Sequence, residues 1–191
     1  MKRFIYDLET TGTNPSKHGI HQISGMIEID GEIKEKFDIK VQPNPKALID
    51  LEALNIAGVT LEQINKYKSM YSGYLSLTNI LKLYVNKFDK KDKFFLVGYN
   101  NSQFDNQFLR GFFLQNDDQY FGSWFWSNSM DVMVAASYYL SEKRHLMADF
   151  KLKTVAAFLG IQIDESKLHD GVYDCYLTLE IEKRLHILKQ E

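Results

Sequence analysis

The sequence predicts an α/β fold, a mixed five-stranded sheet with helices on both faces. Three observations predict it. Residues 3–42 read as three successive strands, an antiparallel meander. Residues 94–99, FFLVGY, form a short continuous apolar run of the kind that fills a buried parallel strand. Helical periodicity then flanks that run on both sides and occupies most of the chain beyond residue 130.

The elements follow in order. Residues 3–9 and 20–29 are strand-like, and Asp30-Gly31 is a strong signal for a two-residue hairpin. The third strand, 32–42, alternates around Ile33, Phe37, Ile39 and Val41, and Pro43 and Pro45 end it. Short helices are expected at 50–57 and 60–68, the second capped by Thr60 with Glu62-Gln63 close behind. Residues 73–89 carry helical spacing through Leu77, Ile80, Leu81, Tyr84 and Phe88. KKDK at 90–93 is a charged turn before the 94–99 strand. A helix is expected from about 103 to 115, with Asn100, Asn101 and Ser102 supplying cap chemistry. A last strand at 123–129 and helices near 131–141, 150–160 and 171–189 complete the chain. There are no internal repeats and no obvious linker, so residues 1–191 read as one domain.

Composition narrows the class. With 45% hydrophobic and 25% charged residues, the chain matches a soluble globular protein. A lone cysteine, Cys175, cannot form an internal disulfide, so nothing points to secretion. Met1-Lys2-Arg3 resembles a leader start, but only Phe4-Ile5-Tyr6 follow before Asp7 interrupts. No apolar run approaches the ~18 residues of a membrane span, and a cytoplasmic location is the default expectation. The formal net charge is −2. A nucleic-acid ligand would therefore have to be held by a local basic patch, aromatic stacking or metal ions rather than by bulk charge.

Three acidic stretches stand out. In YDLETTG, Asp7 and Glu9 are two residues apart on a strand, so both project to one face. Two carboxylates held that close repel unless a proton or a cation lies between them. In GYNNSQFDNQFL, Asp105 sits in the first turn of a helix, among the apolar Phe104, Phe108 and Phe112. In HDGVYDCYLTLEI, Asp174 shares the buried-face spacing of Leu177, Thr178 and Ile181. An aspartate on such a face needs a partner. His169 lies five residues earlier, and two mid-helix residues so spaced would diverge by about 140°. His169 or Asp170 therefore belongs at the helix start, with Gly171 permitting a tight entry, so that His169 could reach out over the site lined by Asp174.

Together DLETTG, NNSQFD and HDGVYD resemble the three motifs of the DEDDh 3′→5′ exonucleases, the DnaQ-like branch of the ribonuclease H-like superfamily. Order and spacing agree: D-x-E, N-x-x-F-D, then H-x-x-x-x-D. The resemblance spans residues 4–182. LNIAGVT (54–60) and FKLKTVAAFLGI (150–161) are similar to the family's connecting segments, while GYNNSQFD and SWFWSNSMDVM are most similar to the nuclease domain of bacterial exonuclease I. The accessory domains that encircle single-stranded DNA in that group have no counterpart in these 191 residues, so tight processivity is not expected.

The resemblance implies a ribonuclease H-like fold and hydrolysis that releases 5′-mononucleotides from single-stranded ends, DNA favoured over RNA. It implies two Mg²⁺ or Mn²⁺ ions held by Asp7, Glu9, Asp105 and Asp174. Asp7 would bridge both ions, Glu9 and Asp174 would help hold the one that activates water, and Asp105 would support the other. His169 would be the general base, since an imidazole near its reference pKa of about 6.5 can accept a proton near neutrality. Substrate contacts would fall to Leu8, Thr10, Gly12, Asn101 and Phe104, and a role in DNA repair with a polymerase or repair partner would follow. RNA trimming, or a noncatalytic nucleic-acid-binding or polymerase-associated module on the same fold, are the alternatives. The four acids argue against the noncatalytic module, which has no need of them in a phosphate site.

Other residues carry weaker signals. Cys175 reads as a small core residue rather than a nucleophile. His18-x-x-His21 lacks further zinc ligands and reads as loop or strand edge. Asp131 reads as a helix cap rather than a metal ligand, and Trp124 and Trp126 as core. Lys143, Arg144, His145, Lys151 and Lys153 cluster around a loop, either solvated or contacting phosphates.

Overall fold

The computed structural model describes residues 1–167 and 170–188. Its centre is strand β1 (Lys2–Thr10), paired antiparallel with β2 (Ile20–Ile29) and parallel with β4 (Phe95–Gly98). Strand β3 (Glu32–Lys40) extends the sheet on the β2 side and β5 (Met130–Asp131) on the β4 side, giving the order β3-β2-β1-β4-β5. Asp30 and Gly31 both take positive φ, 51° and 87°, as a tight hairpin between twisted strands requires. The helices are α1 (Leu51–Ile56), α2 (Leu61–Asn65), α3 (Met70–Tyr84), α4 (Asp105–Gln115), α5 (Phe121–Trp124), α6 (Val132–Tyr139), α7 (Leu152–Phe158) and α8 (Gly171–Leu188). Among the described residues no helix is long and apolar enough to cross a membrane.

Strand periodicity divides the core in two. Phe4, Tyr6 and Leu8 join Ile23 and Ile27 in one apolar cluster, which Leu77 and Leu81 of α3 and Phe108, Leu109 and Phe112 of α4 complete. Ile5, on the opposite face, joins Met26 and Val97 in a second cluster built from α6, α7 and α8. Because Ile5, Asp7 and Glu9 share a face, the two acids continue the row that packs under α8.

Several boundaries differ from the sequence expectation. The third strand stops at Lys40, and Val41 makes only an isolated bridge to Lys68. Glu35 pairs with Ile27 but Ile33 pairs with Glu28, so Lys34 is bulged out. That extra residue turns Ile33 to the opposite face from Phe37 and Ile39, and it is 40% exposed. The helix expected at 73–89 runs from Met70 to Tyr84, capped by Ser69. Asn86, Asp89 and Asp92 accept backbone N–H groups of the following loop, which favours turns over another helical turn and leaves Phe88 85% exposed. The strand expected at 123–129 is instead α5 followed by a single bridge at Phe125, and the pairing with β4 resumes only at Met130–Asp131. Aromatic residues favour strands, but Phe121, Trp124 and Phe125 are drawn into the first core whatever the local backbone.

Candidate active site

The site lies where the C-terminal half of β1 meets the first turns of α4 and α8. Asp7 pairs with Ser24 and Glu9 with Gln22 across β2, which fixes both carboxylates on the α8 face. The start of α8 is set by two residues. Asp170 Oδ1 accepts from Val172 N at 3.0 Å and Tyr173 N at 3.3 Å, an N-terminal cap. Gly171 then lies so close to β2 that a Cβ would sit 2.6 Å from Ser24 Oγ and 2.7 Å from Ser24 Cβ, with Asp7 Oδ2 at 3.4 Å. Only glycine lets the helix come this near.

The far end of the same contact is a buried charge cluster. Arg3 donates to Glu28 Oε1 at 3.0 Å and to Glu182 Oε2 of α8. From Arg3 to Asp7 is four strand residues, about 13 Å, and from Glu182 back to Asp174 is eight helix residues, about 12 Å. The ion pair and Gly171 thus hold α8 antiparallel to β1 in the register that brings Asp174 to Asp7 and Glu9.

Asp105 comes from the other side. It is the first residue of α4, is buried, and its Oδ1 accepts from the backbone N–H of Leu8 at 3.2 Å. Asn106, next to it, is fixed by Tyr6 Oη (2.6 Å) and Ser129 Oγ (3.0 Å). The cap chemistry expected of Asn100, Asn101 and Ser102 is absent: the residue before α4 is Phe104, with no side-chain cap bond. Asn100 takes φ 63°, and the Asn101 side chain is buried against Gly98.

Electrostatics report the proximity of the acids. Asp7 is pushed well above the usual carboxylate range, first by burial and then by Asp105, Glu9 and Asp174. Burial, and then Asp174, raises Glu9 to about 7. Asp105 rises to about 7, burial outweighing the backbone hydrogen bonds that oppose it, with Asp131 and Glu9 adding to the rise. Among the described residues no group of three or more His, Cys, Asp or Glu side chains is arranged to hold a metal ion as it stands. The donor chemistry nonetheless fits a hard divalent cation: every donor is a carboxylate, and cation charge relieves the repulsion that raises their pKa values. His169 lies outside the described residues.

The remaining candidates separate clearly. Cys175 is buried with its Sγ 3.9 Å from Ser24 O, and burial pushes its thiol well up, which leaves it a packing residue. Trp124 is core, whereas Trp126 is half-buried beside Phe95 with Lys93 Nζ 5.2 Å from its ring. His18 is a loop residue whose Nδ1 accepts from Asn14 N at 3.0 Å. His21 departs from the strand-edge reading: it is completely buried at a β-bulge, and burial lowers its pKa to about 4. Of the residues expected at the substrate, Leu8, Thr10, Gly12 and Asn101 are buried, and Phe104 is partly buried against Phe108. Thr10 Oγ1 donates to Gly12 O at 2.8 Å, shaping the turn after β1. Lys153 pairs with Glu165 at 2.7 Å, and Lys143, Arg144, His145 and Lys151 are exposed. Residue patterns did not reveal Ser24, Arg3 or Glu182 as organisers of the site, because each acts through a tertiary partner more than 20 positions away.

Comparison with known proteins gives a consistent picture. The family model for exonucleases matches residues 4–181. Exodeoxyribonuclease I of Buchnera aphidicola subsp. Baizongia pistaciae is 30% identical over 201 residues, covering 98% of this chain and 39% of that protein. The PolC-type DNA polymerase III of Mycoplasmopsis pulmonis is 24% identical over 177 residues, covering 93% of this chain and 11% of that protein. Among solved structures, E. coli exonuclease I in complex with a dA16 oligonucleotide superposes with a TM-score of 0.75 at 22% identity, over 96% of this chain and 40% of that one. The chain therefore spans about two-fifths of the exonuclease I relatives it matches.

Proposed function

The chain belongs to the DnaQ-like exonuclease family of the ribonuclease H-like superfamily, and from that premise we propose that it hydrolyses single-stranded DNA from the 3′ end, releasing 5′-mononucleotides. The observation that carries the reading is the electrostatic coupling of four acids delivered by three separate elements: Asp7 and Glu9 from β1, Asp105 from α4 and Asp174 from α8. A fold does not bury mutually repelling carboxylates without a counter-charge unless the site serves to bind one.

In this reading Asp7, Glu9, Asp105 and Asp174 hold two divalent cations, Mg²⁺ or Mn²⁺. Bound there, the cations supply acidified water and charge neutralisation at the leaving 3′ oxygen. Asp7, on which the charges of the other three all act, would be the ligand best placed to serve both ions. Asp105, tied to Leu8 N, would anchor one side. His169 would accept the proton of the attacking water, a role that the reference histidine pKa of about 6.5 suits near pH 7. The turn shaped by Thr10 and Gly12, next after Glu9, and Phe104, next before Asp105, would contact the terminal nucleotide. With Leu8, Thr10 and Asn101 buried, contact from those positions falls mainly to backbone groups.

The name of the Buchnera relative, an exodeoxyribonuclease, favours DNA, and that of the PolC-type relative favours a role beside a polymerase; a part in repair and a cytoplasmic setting belong to the same proposal. Digestion of end-labelled single-stranded DNA, duplex DNA and RNA in Mg²⁺, Mn²⁺ or chelator tests the reading. Single-stranded DNA should be shortened fastest and only with metal. Faster trimming of RNA would transfer the activity to that substrate, and no digestion of any substrate would leave a noncatalytic module.

A further inference from the structure

We infer that Asp131 is a positioning residue that fixes Asp105 by clamping the loop between β4 and α4. This rests on the nuclease reading above. Strand β5 is only two residues long, and its pairing of Asp131 with Gly98 places one carboxylate beside the end of β4. Both oxygens of that carboxylate are fully used. Oδ1 accepts from Asn100 N at 3.0 Å, and from Met133 N (3.0 Å) and Val134 N (3.3 Å) at the start of α6. Oδ2 accepts from Ser102 N at 3.0 Å and Ser102 Oγ at 2.5 Å. A helix cap needs only the two bonds to α6. The three others all go to one six-residue loop, residues 99–104.

Within the loop, Gln103 N and Phe104 N donate to Asn100 O at 3.3 and 3.2 Å, so the turn is built on the residue whose own N–H Asp131 holds. Asn100 sits in the left-handed region at φ 63°, which asparagine tolerates better than most residues, and its N–H is held there by Asp131 Oδ1. No side chain caps α4 from within the loop. The loop grips the first turn of the helix through Asn106 N donating to Asn101 O at 2.9 Å, where Asn101 lies between the two residues that Asp131 holds, and through Gln107 N donating to Phe104 O at 3.1 Å. Asp105 lies three residues beyond Ser102, and its Oδ1 accepts from Leu8 N at 3.2 Å. A shift of the loop is therefore transmitted to Asp105, and a misplaced carboxylate is a poor ligand; residues that support metal ligands typically contribute 10–100-fold to affinity or activity.

Two conservative variants separate this role from simple capping. In Asp131→Asn the amide oxygen can still cap α6, but the NH₂ group then faces the Ser102 N–H, donor against donor. Ser102→Ala removes one loop bond and leaves the cap untouched. Amide hydrogen exchange should accelerate at Leu8 and Ser102 by about tenfold in Asp131→Asn, and in the same direction but less in Ser102→Ala. Mn²⁺ affinity measured by calorimetry, and turnover at saturating Mn²⁺, should fall about 10–100-fold in Asp131→Asn. Unchanged Leu8 exchange in both variants would overturn the proposal, as would parent-like Mn²⁺ affinity and turnover in Asp131→Asn. If the parent chain neither binds Mn²⁺ nor cleaves DNA, the nuclease reading fails, while Leu8 and Ser102 exchange still decides whether Asp131 holds Asp105.

Discussion

Removing one carboxylate from the cluster, by Glu9→Gln, should make the metal-free protein less sensitive to rising pH. In the folded chain Glu9 titrates at about 7, against an ordinary value of 4.5. A carboxylate raised on folding holds its proton more tightly in the native state. Its contribution is neutral below the unfolded pKa, turns unfavourable as pH rises through the interval between the two values, and reaches its full penalty above about 7. The difference of about 2.5 pH units corresponds to about 3 kcal/mol for this residue alone, good to order of magnitude. For a domain of this size that is a Tm difference of roughly 6–12 °C. Glu9 lies directly opposite Gln22 and is half-buried, so the isosteric amide should fit. Thermal melts of parent and Glu9→Gln in chelator, from about pH 4.5 to about pH 8, give the difference curve in which titrations common to both proteins cancel. Glu9→Gln should gain on the parent as pH rises, and saturating Mg²⁺ should close much of the gap by stabilising the parent more. A flat difference curve would refute the claim that burial and Asp174 strain Glu9.

Other perturbations have equally definite outcomes. His21 has the opposite sign: an imidazole lowered to about 4 from 6.5 leaves its stability intact above pH 6.5 and loses it as pH falls toward 4, about 3 kcal/mol in all, so His21→Leu should flatten the acid limb of a denaturation profile. Gly171→Ala forces a methyl into Ser24, which should cost about 1–3 kcal/mol in a denaturant melt and lower turnover more than Tm predicts, because α8 carries Asp174 away from Asp7. His169→Ala should reduce turnover at saturating metal by about 10²–10⁴-fold while leaving Mn²⁺ affinity near that of the parent. Weakened Mn²⁺ binding in that variant would make His169 a ligand instead.

Much of this arrangement was legible in residue order. The alternation of Phe4, Tyr6 and Leu8 with Ile5, Asp7 and Glu9 is a local property of a strand, so the shared face of the two acids could be read directly. The helical phase of Leu177, Thr178 and Ile181 likewise placed Asp174 on a packed face. What could not be read depends on partners distant in the chain. The bulge at Lys34 inverts Ile33 for reasons of pairing with β2, not of its own sequence. Strand β5 shrinks to two residues because the aromatic run before it is claimed by the core. Asp131 was recognisable as a cap, but its bonds to Asn100 and Ser102 join segments about 30 residues apart. The fully buried His21 had no local signature at all, since burial there follows from a register shift between Glu9 and Thr10.

The central claim is that the four acids perform metal-dependent hydrolysis from the 3′ end. Its most direct test is digestion of a 5′-end-labelled single-stranded oligonucleotide by the parent, Asp7→Ala and Asp174→Ala in Mg²⁺ and in chelator. The parent in Mg²⁺ should yield a ladder of labelled products shortening from the 3′ end, and chelator should abolish it. Both variants should melt no lower than the parent without metal, since each loses a repelling charge, yet leave the substrate intact. A full ladder from Asp7→Ala or Asp174→Ala, or early release of the label as a mononucleotide, would contradict the account.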